Sequence, residues 1–218
     1  MKNVLIIVLI CCATLVSAQT RYCCTYQDFC NNKWEDLDTL FVTQHSKEYQ
    51  VWWGGNDFAF SCGDKAKDKM LNKDVFVIMY QDLLYVNCRN LRYQGLALGS
   101  GYVRAKRIGN RSLLFVNRLT GKEIRNDEIA AGIMFGAIGG VAAARKNMKQ
   151  QVCYVISQGA SEKGKIAIRL VDDDLIEKML ENQGSLLREY YDEHEDNLRI
   201  LASHVLPILE KSGLIKQK

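Results

Sequence analysis

The chain has 218 residues, a formal net charge of +4, eight cysteines, three histidines and a single proline. Removal of the N-terminal export signal described below leaves about 200 residues, room for one substantial core or two small domains. Nucleic acid is excluded as a partner because an exported chain with no recognisable binding motif lacks the means to read it. His45, His194 and His204, set beside these cysteine spacings, match no zinc pattern, and no cofactor motif is present.

Lys2, the apolar run over residues 4–16 and the small pair Ser17-Ala18 have the charged, apolar and cleavage regions of a secretory signal peptide, cut after Ala18. A lipoprotein signal on Cys11 or Cys12 fits less well, because the residue before Cys12 is another cysteine where a small one is wanted. A retained anchor would need about 20 apolar residues, more than this run supplies. Cys11 and Cys12 leave with the signal, and Cys23, Cys24, Cys30, Cys62, Cys88 and Cys153 stay. An even count in an exported chain permits disulfides, but sequence does not choose among the pairings. Cys88 and Cys153 lie in strand-like runs, where a cysteine behaves as a small buried hydrophobe.

Residues 22–125 favour strands. The stretch 49–53 reads as a strand stopped by Gly54-Gly55-Asn56-Asp57, which would send Trp52 and Trp53 to opposite faces and leave one as a stacking platform for a sugar ring or aromatic ligand. Residues 74–80, 83–90, 102–108 and 112–117 are short and rich in β-branched and aromatic side chains. Gly109-Asn110 and Gln81-Asp82 supply hairpin turns between them, so an antiparallel sheet is expected.

Residues 129–144 carry no charge and no hydrogen-bonding side chain, and Gly132, Gly136 and Gly140 recur every fourth residue, with Gly139 beside them. As a helix this glycine zipper would present one face without side chains, where a second backbone can approach closely. Sixteen residues make a helix of about 24 Å, short of the roughly 30 Å hydrocarbon core. The four glycines would cost an uncovered aqueous helix about 4 kcal/mol, so close packing must offset them. Three readings remain: packing within the fold, membrane contact, and self-association.

Residues 152–157 and 165–171 form a second expected strand pair. A helix capped by Asp174, with Glu177 completing a capping box, is expected next. A second helix starts at Ser185, and a third runs from about Glu195 to Lys211, with Pro207 kinking it or opening a separate last turn. Charge is uneven: residues 89–149 hold twelve bases against three acids, and residues 172–196 hold ten acids against Lys178 and Arg188. The two parts either attract one another within the fold or stay solvated, and the bases over 104–149 alternatively face anionic lipid or polysaccharide. The run Asp172-Asp173-Asp174 suits helix capping better than calcium, since the alternating oxygen ligands and closing glutamate of an EF-hand are missing.

The resulting class is α+β: a signal peptide (1–18), a strand-rich antiparallel region (19–125), the glycine-zipper segment with its basic flank (126–149), and a strand pair plus C-terminal helices (150–218) packed with 19–125 as one unit. This succession resembles an uncharacterised family of exported bacterial proteins, a domain of unknown function. The resemblance implies a periplasmic, outer-envelope or extracellular location and brings no activity and no functional residues with it. GxSxG, SxxK, HExxH and Walker motifs are absent. The expectation is a non-enzymatic envelope-associated protein using the zipper for packing, membrane contact or assembly. The alternative is a soluble exported module that binds a small molecule or glycan, and a hydrolase without a local motif comes third.

Overall fold

The computed structural model describes residues 20–121, 150–159 and 166–216. The strands are β1 (Arg21–Cys23), β2 (Glu35–Asp36), β3 (Phe41–Gln44), β4 (Phe58–Ser61), β5 (Val77–Tyr80), β6 (Leu83–Asn87), β7 (Arg92–Tyr93), β8 (Leu96–Ala97), β9 (Tyr102–Ile108), β10 (Ser112–Arg118), β11 (Gln151–Gln158) and β12 (Ile166–Leu170). Ten of them make one sheet in the order β12-β11-β10-β9-β6-β5-β1-β2, while β3 and β4 join through β9, and β7 and β8 form a small hairpin. Each pairing is antiparallel. The chain is therefore α+β, as its sequence suggests.

Both expected hairpin turns are present. Tyr80 pairs with Leu83 across Gln81 and Asp82, whose φ values of +50° and +59° are the two left-handed positions of a type I′ turn. Ile108 pairs with Ser112 across a three-residue loop that begins at Gly109.

Alternation along the strands builds two buried faces. On one, Val77, Val86, Val103, Leu113, Phe115, Val152, Tyr154 and Ile156 pack with Tyr26 and Phe29 of helix α1 (Tyr26–Cys30). The opposite face has two separate covers. Over β10 and β11, Leu114, Cys153 and Val155 meet the C-terminal helices, including Ile176, Leu180, Tyr190, Val205 and Leu209. Over β1, β5, β6 and the start of β9, Tyr22, Ile78, Tyr85 and Tyr102 meet Phe58 and Phe60 of β4 and Leu71 of α3 (Lys65–Lys73). The middle of that face lies between the two covers.

Three expectations are corrected. Residues 49–53 are not a strand: they lie in helix α2 (Lys47–Trp53), and Trp52 and Trp53 do not point to opposite faces of a sheet but are both exposed. The composition Val-Trp-Trp favours a strand, yet the Ser46 side chain accepts the Tyr49 N–H and Gly54 ends the helix at φ +70°, so the caps outweigh the propensity. The next C-terminal helix, α4 (Asp173–Met179), is capped by Asp172 rather than Asp174, and Glu177 accepts the Tyr191 hydroxyl instead of closing a capping box. After α5 (Gly184–Tyr191), the single expected third helix is two, α6 (Asp196–Arg199) and α7 (Ala202–Lys211). Leu201 breaks it by turning extended to bridge Val152 of β11, while α7 runs on through Pro207.

The signal peptide and the zipper glycines Gly132, Gly136, Gly139 and Gly140 lie outside the described residues. Among the described residues no helix is long and apolar enough to cross a membrane.

Candidate functional site

Between the two covers runs a groove of about 760 Å³. Its floor follows from the pleat: Val103 and Ala105 of β9 enter the core of the first face, which turns Arg104 and Lys106 to the other side. Leu83 at the start of β6 and Leu114 and Val116 of β10 supply the apolar floor, and Leu206 and Leu214 form the wall on the helical side. Asp57 and Asp82 line it as well. A volume of this size matches the range of small-molecule sites, about 300–1,000 Å³.

The two cations of the floor differ in what they meet. The Lys106 ammonium is paired with Glu210 of α7 at 2.5 Å and also donates to the Lys216 carbonyl at 3.2 Å, which ties the C-terminal tail to the sheet. The Arg104 guanidinium lies 5.9 Å from the Phe58 ring centre and 6.0 Å from that of Tyr85, its cross-strand neighbour. Among the described residues no carboxylate and no hydrogen-bond acceptor meets it. Asp57 is taken, its Oδ1 accepting from Lys47 at 2.7 Å and from Gln50 at 2.8 Å. A guanidinium held over aromatic faces keeps its planar donors free and is suited to receive a carboxylate or phosphate in a forked geometry. The apolar floor beside it suits a hydrocarbon body.

The residues singled out from the sequence do not converge here. Trp52 and Trp53 do not line the groove. All six cysteines are free thiols, with Cys23, Cys88 and Cys153 buried and Cys24, Cys30 and Cys62 partly so. Burial pushes the Cys23 and Cys153 thiols up to about 12 and Cys88 higher still, the reverse of what activates a nucleophile. Among the described residues no group of three His, Cys, Asp or Glu side chains could hold a metal ion. Asp172 is spent on capping and Asp173 on an ion pair with Arg199. Of the basic stretch 104–149, Arg104 and Lys106 face the groove, Arg107 packs on the opposite face over Phe29 at 4.4 Å, and residues 122–149 lie outside the described residues.

Sequence reasoning named the basic stretch without isolating Arg104. Period-two alternation over 102–106 does place Arg104 and Lys106 on one face. Which of them would find an acid depended on Glu210, more than a hundred residues away.

No curated protein and no solved structure shows a significant match to the chain. A family model described as a family of unknown function, DUF6563, matches residues 21–216, which takes in the sheet, both covers and the groove between them. The chain belongs to the DUF6563 family.

Proposed function

We propose that the chain is a non-enzymatic, exported, envelope-associated protein that holds an amphipathic anion in the groove between its two covers. The observation that carries this reading is Arg104: a guanidinium that meets no carboxylate among the described residues and lies near the Phe58 and Tyr85 rings at the edge of an apolar floor. A carboxylate or phosphate head would sit on Arg104, and an alkyl tail would lie along Leu114, Val116, Leu206 and Leu214. Export rests on the N-terminal sequence, and contact with the envelope on the uncharged segment 129–144.

Calorimetry with lauric acid, dodecyl phosphate and dodecanol tests the groove. Both anions are expected to bind more tightly than the alcohol, and Arg104→Ala to weaken the anions by about tenfold or more while leaving dodecanol unchanged, as loss of one charge-assisted contact predicts. Equal affinity of native protein and variant for the anions would overturn the assignment.

A further inference from the structure

The floor of the groove holds two cations, and only one of them is open to a ligand. Arg104 and Lys106 are two residues apart on β9, so their Cα atoms are about 7 Å apart and their side chains stand on the same face. Lys106 already has its carboxylate. Glu210 of α7 meets its ammonium at 2.5 Å, with 30% of the lysine side chain and 28% of the glutamate side chain exposed. A second donor of the same ammonium goes to the Lys216 carbonyl. Across the hairpin, Leu114 lies directly opposite Lys106, so the ion pair stands beside apolar floor.

The other charges of the groove leave Arg104 as its one floor cation without an acid. Asp57 is balanced by Lys47 at 2.7 Å. Asp82 is exposed and has no cationic partner among the described residues, and the exposed Lys216 side chain has no carboxylate there either, so these two offset one another in the local field without touching. Arg107 packs over Phe29 on the opposite face and adds nothing here. Lys106 and Glu210 cancel, Lys47 and Asp57 cancel, and a single positive charge remains on the floor, at Arg104.

We infer that the groove selects an amphipathic ligand with a singly charged head over one with a doubly charged head, and that Glu210 sets this limit by occupying Lys106. The inference rests on the reading of the groove as an anion site and narrows it to long-chain carboxylates and phosphodiesters, against phosphomonoesters. One negative charge on Arg104 neutralises the floor. A second charge on the same head would stand near the Glu210 and Asp82 carboxylates, and beside an apolar floor such repulsion is stronger than in bulk water. Recruiting Lys106 to that second charge would require opening its pair and leaving Glu210 without a partner. Glu210 thus acts as a resident anion that competes with the head of the ligand, an unfavourable element that supplies specificity.

Calorimetry on the full chain with dodecyl phosphate, dodecyl methyl phosphate and laurate tests the inference at about pH 8, where the monoester carries close to two charges and the other two probes carry one. The native protein is expected to bind the methyl ester and laurate about fivefold more tightly than the monoester. Glu210→Gln frees Lys106 and is expected to reduce that preference by about threefold or more, through a gain in monoester affinity. Adding Lys106→Gln to Glu210→Gln is expected to remove the gain, because the double variant lacks the pair without leaving a lone charge. A gain that persists in the double variant would assign the effect to a loosened C-terminal tail and overturn the inference. Equal affinity of the native protein for the monoester and its methyl ester, with both weakened by Arg104→Ala, would overturn the inference and leave the groove as an anion site. So would a preference that Glu210→Gln leaves unchanged. Binding indifferent to Arg104, or no binding of the three probes, would overturn the anion site and this inference with it.

Discussion

Arg199 holds Asp173 with two nitrogens at once, Nε to Oδ1 at 3.0 Å and Nη2 to Oδ2 at 2.5 Å, and so pins α6 to the first turn of α4. The same guanidinium reaches Asp196 at 2.5 Å and the Glu193 carbonyl at 2.9 Å, and its Cζ lies 5.0 Å from the Tyr191 ring centre. Tyr190 donates its hydroxyl to Asp173 at 2.8 Å from α5. One buried cation thus joins three helices of the cover that forms one wall of the groove.

Arg199→Leu should therefore destabilise the protein by about 2–3 kcal/mol. That is less than the usual cost of breaking a fully buried pair, because Asp173 is partly exposed and can rehydrate. Asp196→Ala should cost under about 1 kcal/mol, since that carboxylate is almost wholly in water. Urea unfolding of both variants checks the ranking. Equal losses would mean that the Asp173 contact adds nothing to what the exposed Asp196 pair contributes.

The same contact sets a pH dependence. The Arg199 hydrogen bond, against the opposing effect of burial and with help from the Tyr190 hydroxyl and the Arg199 charge, holds the Asp173 carboxyl below the ordinary carboxylate range. A group whose folded-state value is depressed adds stability above its unfolded value, and that stability is lost as pH falls through the folded value. The contribution is therefore full above about pH 4 and fades below it. Asp173→Asn should flatten this part of the acid limb when unfolding free energy is followed against pH. An acid limb identical to that of the native protein would assign the dependence to other carboxylates.

Gly101 precedes β9 with φ +85°, and a Cβ there would stand 2.8 Å from the Phe58 carbonyl oxygen. Phe58 is the residue through which β4 pairs with β9, and its ring supports Arg104. Gly101→Ala should cost roughly 1–3 kcal/mol from backbone conformation alone, and the clash with a backbone atom should add to it. It should also weaken binding of dodecyl phosphate, although Gly101 does not line the groove. Gly95→Ala is the control: its φ of +80° carries the same strain, but nothing lies within 4 Å of the added carbon. Calorimetric unfolding and ligand titration of the pair distinguish strain from displacement of β4.

Much of the sheet was legible because its signals are local. Residues 102–108 and 112–117 alternate and are joined by Gly109-Asn110, and the structure pairs them as β9 and β10 with a boundary shift of one residue. Residues 49–53 misled because strand propensity was read without the caps on either side, although Ser46 and Gly54 are both visible in the sequence. The break at Leu201 was not legible, because it depends on Val152 of β11. Asp172, not Asp174, caps the helix, and Asp173 in its first turn receives Arg199, a partner 26 residues away that no local pattern reveals.

By itself the sequence determined the α+β class, the antiparallel hairpins and the period-two alternation that turns Arg104 and Lys106 away from Val103 and Ala105, because each is written in neighbours a few residues apart. Tertiary structure alone decided that Lys106 meets Glu210 while Arg104 meets none of the described acids, that two covers leave a groove above them, and that α2 turns its tryptophans outward. Those outcomes depend on which surfaces remain after distant segments have packed. Charge and aromaticity in a local pattern fix what a side chain can do, and the long-range packing fixes what is left for it to meet.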